Sequence, residues 1–361
     1  IFGMSTASAA ATLASVMVGY NIIIAETAAG EPIRLLNEHV LNGSILLILI
    51  SCTISSFVSM SSAQRIAEAQ NEDTLSGNSR EQENILLAVN YEATVEKMVN
   101  LGLLIKAENN DNRLFALNVI NNDKNESSVK NAEKILDQAK DLAAAAEVEL
   151  QQLVRYDNDV ISGINNVVKE QKITDLVIGL QEDKGFSSSF VYNLYNGYLQ
   201  NQYINLLIYH AAQPISTLKK YAVLVPANAE KEPGFFHALL RIWNIGRNSG
   251  ALMSFYASEV SLEVLKRIVK KAAIEAEFNV LRNWDDAKTA ALEVKEDEGL
   301  IILMAKRGMT SYLPQMRDIP DLLNQNLSAN NYLLIYPFSE QEADTMEKRS
   351  VSNHRDFAEI G

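Results

Sequence analysis

The sequence predicts two transmembrane α-helices followed by two tandem α/β domains, each built on a five-stranded parallel, Rossmann-like sheet. Two features of the chain support this fold class. Residues 7–25 and 41–60 are long segments that contain no Lys, Arg, Asp or Glu. After them, three apolar segments recur at a similar offset, which indicates that one α/β domain is duplicated. The predicted ranges are 1–60 for the transmembrane helices, 61–82 for a linker, 83–212 and 213–340 for the two α/β domains, and 341–361 for a disordered tail.

Each uncharged segment is about as long as the ~20 residues that span a bilayer core. In the first one, small residues recur every four positions, at Ala7, Ala11, Ser15 and Gly19. That spacing lets helix backbones approach closely inside a membrane. The alternative is a pair of buried helices in a soluble protein. We expect transmembrane helices, because uncharged runs of this length are uncommon in soluble proteins.

Beyond the polar linker, strand-like and helical segments alternate, which is the pattern of a parallel sheet covered by helices on both faces. The first domain has predicted strands at 84–90, 113–120, 149–154, 175–179 and 205–210 and predicted helices at 93–106, 128–146, 157–170 and 190–200. The second has predicted strands at 221–225, 250–256, 277–281, 298–304 and 332–336 and predicted helices at 235–246, 262–273, 285–293 and 320–326.

Three strands match between the two domains: 84–90 with 221–225, 175–179 with 298–304, and 205–210 with 332–336. Each fourth strand leads into a loop with a basic residue before glycine, at Lys184-Gly185 and Arg307-Gly308. Loops at the carboxyl ends of such strands are where open α/β sheets bind ligands. We expect the strand order 3-2-1-4-5 in each sheet and a pseudo-twofold axis between them. The last strands, 205–210 and 332–336, are expected to pair.

The composition and the residue spacing exclude several kinds of function. A net charge of −13 and a pI near 4.9 would repel the phosphates of a nucleic acid. The single cysteine, Cys52, rules out an intrachain disulfide framework, and the four histidines have no metal-ligand spacing. The serines at 187–189 and His210 lack a third residue that would orient the histidine. We therefore expect no nucleic-acid partner, no metal site, no catalytic residue and no enzymatic activity.

Over roughly residues 82–340 the tandem domains resemble a pair of universal stress protein domains. The matching features are the first strand ILLAVN, which ends at Asn90, the fourth strand with its loop, DLVIGLQEDKG, and the short closing strand. The resemblance implies a possible nucleotide site. In family members that bind ATP, the loop after the fourth strand reads Gly, two residues, Gly, nine residues, then Gly-Ser or Gly-Thr. The glycines let backbone amides approach phosphate.

In the first copy, this pattern is only partly present. Gly179 matches the first glycine, Asp183 and Lys184 stand near the place of the second, and Gly185 comes late. The aspartate that usually ends the first strand is replaced by Asn90.

The second copy also departs from the pattern. Ala305 replaces the first glycine, Gly308 holds the second, Asp318-Ile319 replace the final pair, and Pro226 ends the first strand. The resemblance thus names Asn90, Gly179, Gly185 and Gly308 as candidate nucleotide-binding residues. Because the cradle is incomplete in both copies, we expect weak or no ATP binding and no cofactor, with ATP or another nucleotide as the alternative.

Residues 9–21 (AAATLASVMVGYN) and 40–57 (VLNGSILLILISCTISSF) are similar to the last two transmembrane helices of monovalent cation/proton antiporters of the sodium/hydrogen exchanger type. This resemblance implies the C-terminal portion of a cation/proton, in particular sodium/proton, antiporter in the inner membrane. The tandem domains would then be its cytoplasmic regulatory module. The implied partners are the rest of the antiporter membrane domain, membrane lipid and a second copy in a homodimer.

Antiport requires an ionisable group within the membrane, and the two segments contain none, so the exchange reaction would lie outside this chain. The alternative function is that of a nucleotide-binding universal stress protein on a membrane anchor. An intact glycine loop would favour that alternative, and the eroded loops favour the regulatory module.

Overall fold

The computed structural model describes residues 13–26, 32–48, 83–107, 113–121, 126–180, 204–270 and 274–338. The chain divides into two compact units, Ile1–Asp73 and Thr74–Gly361. The predicted linker at 61–82, the predicted tail at 341–361 and the predicted helix at 190–200 lie outside the described residues. The predicted domain boundaries stay predictions.

The first unit contains two helical stretches around a short hairpin. Residues 13–21 (α1) and 38–48 (α2) are helical, and between them β1 (Ile23–Glu26) pairs antiparallel with β2 (Pro32–Arg34). The Arg34 guanidinium donates to the Tyr20 carbonyl at 2.9 Å and lies 4.3 Å from the centre of the Tyr20 ring, which fixes β2 against α1. Gly19 is buried, and a Cβ atom there would lie 2.6 Å from Leu36 Cδ1.

The prediction of two transmembrane helices is wrong. No helix in the described parts of the chain is long and apolar enough to cross a bilayer. The first predicted segment, 7–25, is helical only to residue 21 and then enters β1, where successive isoleucines favour a strand. The second segment is helical at 41–48, and residues 49–60 lie outside the described part. Length and lack of charge, on which the prediction rested, do not by themselves make one continuous helix.

The second unit contains two successive halves with the same order of elements. The first half consists of β3 (Asn84–Ala88), α3 (Glu92–Ile105), β4 (Arg113–Asn121), α4 (Glu126–Ala145), β5 (Leu150–Asp157), α5 (Val160–Glu170), β6 (Asp175–Gly179) and β7 (Asn205–His210). The second half consists of β8 (Lys220–Leu224), α6 (Phe235–Ser249), β9 (Leu252–Ala257), α7 (Glu259–Val269), β10 (Ala276–Val280), α8 (Trp284–Leu292), β11 (Glu298–Leu303), α9 (Ile319–Asn326) and β12 (Asn331–Tyr336).

The ten strands that the structure describes in this unit form one sheet in the order β10-β9-β8-β11-β12-β7-β6-β3-β4-β5. Within each half the order is 3-2-1-4-5 and all neighbours are parallel, as the sequence predicted. The expectation of two separate sheets is corrected, because β12 and β7 pair antiparallel and join the halves into a single mixed sheet.

The pairing of β7 with β12 confirms the predicted contact between the last strands. Ile208 lies opposite Leu334 at the centre, and Tyr332 lies opposite His210. Because Ile208 and Leu334 are the fourth residues of matching strands, the register is symmetric about the junction. The His210 and Tyr332 rings also stack, with centroids 4.8 Å apart. Each half therefore protects the other's edge strand, which would otherwise expose unpaired backbone groups.

Helices cover both faces of the sheet, so its central strands are buried on both sides. Successive residues point to opposite faces: Leu87 belongs to one hydrophobic cluster and Leu86 to the other. Trp243 and Trp284 are buried in these two clusters, one on each face. The continuous apolar strands that predicted a parallel sheet are explained by this double cover.

Candidate functional site

At the carboxyl edge of the first half, Asn90 follows β3 and is half-buried. Its Oδ1 accepts a hydrogen bond from the Val119 backbone N–H at 3.2 Å. Next to it, Asn118 Nδ2 donates to the Val89 carbonyl at 2.8 Å. Two asparagines therefore link the ends of β3 and β4. Asn90 has a structural task here, and its predicted contact with a nucleotide stays a prediction.

Gly179 ends β6 at the same edge and faces α3. A Cβ atom at this position would lie 2.7 Å from Met98 Sδ. A side chain here would force Met98 to shift, so glycine allows the close packing of α3 on the strand. Gly185 and Lys184, in the loop that follows, lie outside the described residues.

At the carboxyl edge of the second half, Gly308 lies in the loop after β11 and has a φ of +100°, a conformation that favours glycine. No heavy atom lies within 4 Å of the position that a Cβ atom would take there. Arg307, directly before it, is exposed, whereas Ala305 is buried. The predicted residue thus faces open space at the place where ligands bind in this type of sheet.

A carboxylate of the chain itself reaches this loop. Glu232 Oε1 accepts hydrogen bonds from the Ser311 backbone N–H at 2.8 Å and from Ser311 Oγ at 2.9 Å. Both residues are buried, with 8% and 2% of their surfaces exposed. Glu232 belongs to the connection between β8 and α6, residues 226–234, which we call the carboxylate loop. The loop after β11 therefore binds an anion that the protein supplies.

Two further contacts hold the carboxylate loop in place. Ser261 Oγ, near the start of α7, donates to Glu230 Oε2 at 2.7 Å. At the other end of the loop, a Cβ atom on Gly234 would lie 2.6 Å from the Phe338 carbonyl oxygen, so the backbone after β12 lies directly against it. The carboxylate loop thus reaches from the end of β9, past β11, to the end of β12.

The strongest charged cluster lies away from both loops, between the two halves. Arg241 on α6 donates through Nε and Nη2 to the two carboxylate oxygens of Asp175, at 2.9 and 2.6 Å, and through Nη1 to Glu83 at 2.7 Å. Asp175 also accepts from Asn205 at 3.0 Å and from Thr174 at 2.8 Å. Arg241 and Asp175 are 1% and 0% exposed. The bidentate salt bridge between Arg241 and Asp175 joins the second half to the first.

Burial by itself would raise the pKa of Asp175, but the Arg241 charge and the hydrogen bonds from Arg241, Asn205 and Thr174 outweigh it. The pKa of this carboxyl is therefore held below its usual value, and Asp175 is ionised. Burial would likewise lower the pKa of Arg241, and the charges of Asp175 and Glu83 raise it instead. Both groups are charged in the interior at neutral pH.

The cluster has no counterpart on the other side of the pseudo-twofold axis. Asp175 pairs with Asn205 in the β6–β7 register, and Gly299 pairs with Asn331 in the β11–β12 register, so Gly299 holds the position that matches Asp175. A Cβ atom on Gly299 would lie 2.5 Å from the Tyr221 ring, which fills the space. The interface is polar on one side and aromatic on the other.

The position on α3 that matches Arg241 is Lys97. Gly102 of α3 packs against Leu114 of β4, and Gly246 of α6 packs against Met253 of β9. Leu114 and Met253 hold equivalent positions in the registers of the two halves, so the two glycines are equivalent as well. Counting back five residues from each glycine gives Lys97 and Arg241. Lys97 Nζ donates to the Ala211 carbonyl at 2.7 Å.

Both the Glu232–Ser311 contact and the Arg241 cluster were missed in the sequence. Arg241 gave one usable signal, since it is a charged residue within the apolar run FFHALLRIWNIG. Glu232 gave none, because its neighbours Lys231 and Pro233 are typical of a surface turn. Within the described ranges, no group of three His, Cys, Asp or Glu side chains is placed to hold a metal ion. His210 Nε2 lies 3.1 Å from the Ser328 carbonyl, and the serines at 187–189 lie outside the described residues.

No protein-family model matches the chain, and no curated protein matches it. Among solved structures, the cytoplasmic domain of a prokaryotic cation chloride cotransporter is similar, at 11% identity and a TM-score of 0.50, over 71% of this chain and 95% of that one. A universal stress protein from Archaeoglobus fulgidus is similar at 14% identity and a TM-score of 0.44, over 71% of this chain and 97% of that one. At this low identity, the likeness to the cotransporter domain concerns the fold alone.

Proposed function

We propose that the tandem α/β unit is a non-enzymatic regulatory module of a membrane transport protein, specifically of a monovalent cation/proton antiporter of the sodium/hydrogen exchanger type. The module would lie at the cytoplasmic side of the inner membrane, and the exchange reaction would take place outside the residues described. Its partners would be the membrane domain of the transporter, membrane lipid and a second copy of the chain.

One observation carries this proposal: the apolar surface of the first unit. Among the described residues, eighteen large apolar side chains are exposed, and eleven of them lie between positions 17 and 47. Ile24 and Leu47, for example, expose 61% and 67% of their surfaces. Apolar exposure at this density marks a surface that contacts protein or lipid. A transporter's membrane domain and the lipid around it are partners of that chemistry.

Two features of the second unit support a regulatory role over an enzymatic one. The carboxyl edge of the second half carries the chain's own Glu232 where a ligand would bind. The two halves are joined through the buried Arg241 cluster, so a conformational change in one half can be transmitted to the other. The fold itself is shared with the cytoplasmic domain of a cation chloride cotransporter, which fits attachment to a transport protein.

The proposal is tested in everted membrane vesicles from bacteria that lack their own antiporters and express the whole transporter of which this chain would be the C-terminal portion. Addition of Na⁺ or K⁺ to respiring vesicles should release protons and restore the fluorescence of an acridine dye. Arg241→Ala should change the cation concentration that gives half of this response. Lys134→Ala, which removes one charge from an exposed pair with Glu92, should not. Exchange no greater than in the host background would contradict the antiporter assignment.

Calorimetry of the purified chain with Mg-ATP tests the alternative, a nucleotide-binding stress protein. We expect weak or undetectable binding. A dissociation constant in the low micromolar range would favour the alternative and would show that the incomplete glycine pattern still holds phosphate.

A further inference from the structure

We propose that the carboxylate loop, residues 226–234, is a built-in lid that closes the carboxyl edge of the second half, with Glu232 as an internal anion held by the loop after β11. The lid would close this edge whether or not the chain belongs to a transport protein.

The hydrogen bonds of Glu232 define the lid's contact. A backbone N–H and a hydroxyl of the same residue, Ser311, converge on one carboxylate oxygen at 2.8 and 2.9 Å. Charge-assisted bonds of this kind are stronger than neutral ones. A carboxylate is costly to bury unless donors meet it, and here two donors do. The loop after β11 is therefore arranged to receive a negatively charged oxygen.

The backbone of the lid is restrained on both sides of Glu232. Glu230 accepts from Ser261, and Gly234 lies against Phe338. Pro226 and Pro233 fix φ at two further positions. Because the loop is already ordered, Glu232 reaches Ser311 at little additional entropic cost. A tethered group of this kind acts at an effective concentration on the order of millimolar or higher, enough to exclude weakly binding external anions.

Removal of Glu232 would leave a loop that an external anion can approach. Ser311 would keep both donors. Gly308, three residues before it, faces open space, and the exposed Arg307 adds a positive charge beside it. Inorganic phosphate is a suitable probe, because its oxygens have the charge and the acceptor geometry of the carboxylate that they would replace.

The test titrates inorganic phosphate into the purified full-length chain and follows the Ser311 amide by NMR. In the wild type, the Ser311 signal should not respond to phosphate. Glu232→Ala should bind phosphate at least about tenfold more tightly than the wild type, with a saturating shift at Ser311. Glu263→Ala removes the same charge from an exposed position on α7 and should behave as the wild type. Glu232→Ala/Ser311→Ala should lose the binding that Glu232→Ala gains.

Glu232→Gln serves if Glu232→Ala does not fold, because the amide keeps an acceptor and removes the charge. Its phosphate affinity should lie between those of the wild type and Glu232→Ala. A folded Glu232 variant that binds phosphate no better than Glu263→Ala would overturn the proposal and leave Glu232 with a purely structural task. A saturating Ser311 shift in the wild type at low phosphate concentration would also overturn it, since the lid would then not be closed.

Discussion

Replacement of Arg241 by alanine should destabilise the second unit more than any other single loss of charge described above. The guanidinium satisfies both oxygens of Asp175 and one oxygen of Glu83. After the change, Asp175 keeps its bonds from Asn205 and Thr174, but its charge has no cation and its side chain has no access to water. Arg241→Ala therefore creates a buried, uncompensated carboxylate.

Breaking a buried ion pair in this way costs about 3–5 kcal/mol. That is a large part of the roughly 5–15 kcal/mol that stabilises a domain. For a unit of this size, the melting temperature should fall by roughly 6–20 °C. Arg241→Met/Asp175→Asn removes both charges of the pair, and the amide oxygen at position 175 can still accept the hydrogen bond from Asn205. The double variant should therefore recover about 2 kcal/mol of the loss.

Urea unfolding followed by tryptophan fluorescence measures these changes, because Trp243 lies two residues from Arg241 in the same helix. The matched control is Lys97→Ala at the equivalent position of α3. Lys97 is half-buried and donates to the Ala211 carbonyl, so its removal should cost less, about 1–2 kcal/mol. A loss below about 1 kcal/mol in Arg241→Ala, or a double variant no more stable than the single one, would refute this reasoning.

Three other changes have expected outcomes. Because the folded-state pKa of Asp175 is depressed, the ionised carboxylate contributes its full stability above the unfolded-state pKa, and this contribution is lost as the pH falls through the folded-state pKa. Below about pH 4, the urea concentration at the midpoint of unfolding should therefore decrease. The decrease should be smaller in Asp175→Asn. Gly299→Ala would place a Cβ atom 2.5 Å from the Tyr221 ring and should cost about 1–3 kcal/mol in the same assay. In the first unit, Gly19→Leu should lower the protease resistance of the hairpin region, whereas Val18→Leu, at an exposed position, should leave it unchanged; equal digestion rates would contradict the packing of Gly19.

The second unit could be predicted well because its signals are local and repeated. Buried strands such as β6 and β11 are apolar after their first, acidic residue, and helices with one apolar face separate them. The duplication then supplied the junction of β7 and β12, since matching strands at two sheet edges can pair symmetrically. The first unit had no such repetition, and its uncharged segments fit a membrane helix as well as a helix followed by a hairpin.

The contacts that define the candidate sites could not be predicted because they join residues distant in the chain. Arg241 meets Asp175 across 66 positions and Glu83 across 158, and Ser311 meets Glu232 across 79. None of these residues belongs to a motif whose spacing is set by a helix or a strand. Their charges are typical of a solvated surface, and only the fold shows that they are buried.

The mismatch between Asp175 and Gly299 means that the second half could not pair with a copy of itself as it pairs with the first half. Two second halves joined by the same edge strands would each bury Arg241 opposite Gly299 and the Tyr221 ring, with no carboxylate to receive it. The second half thus depends on the first for the acceptors of its buried charge.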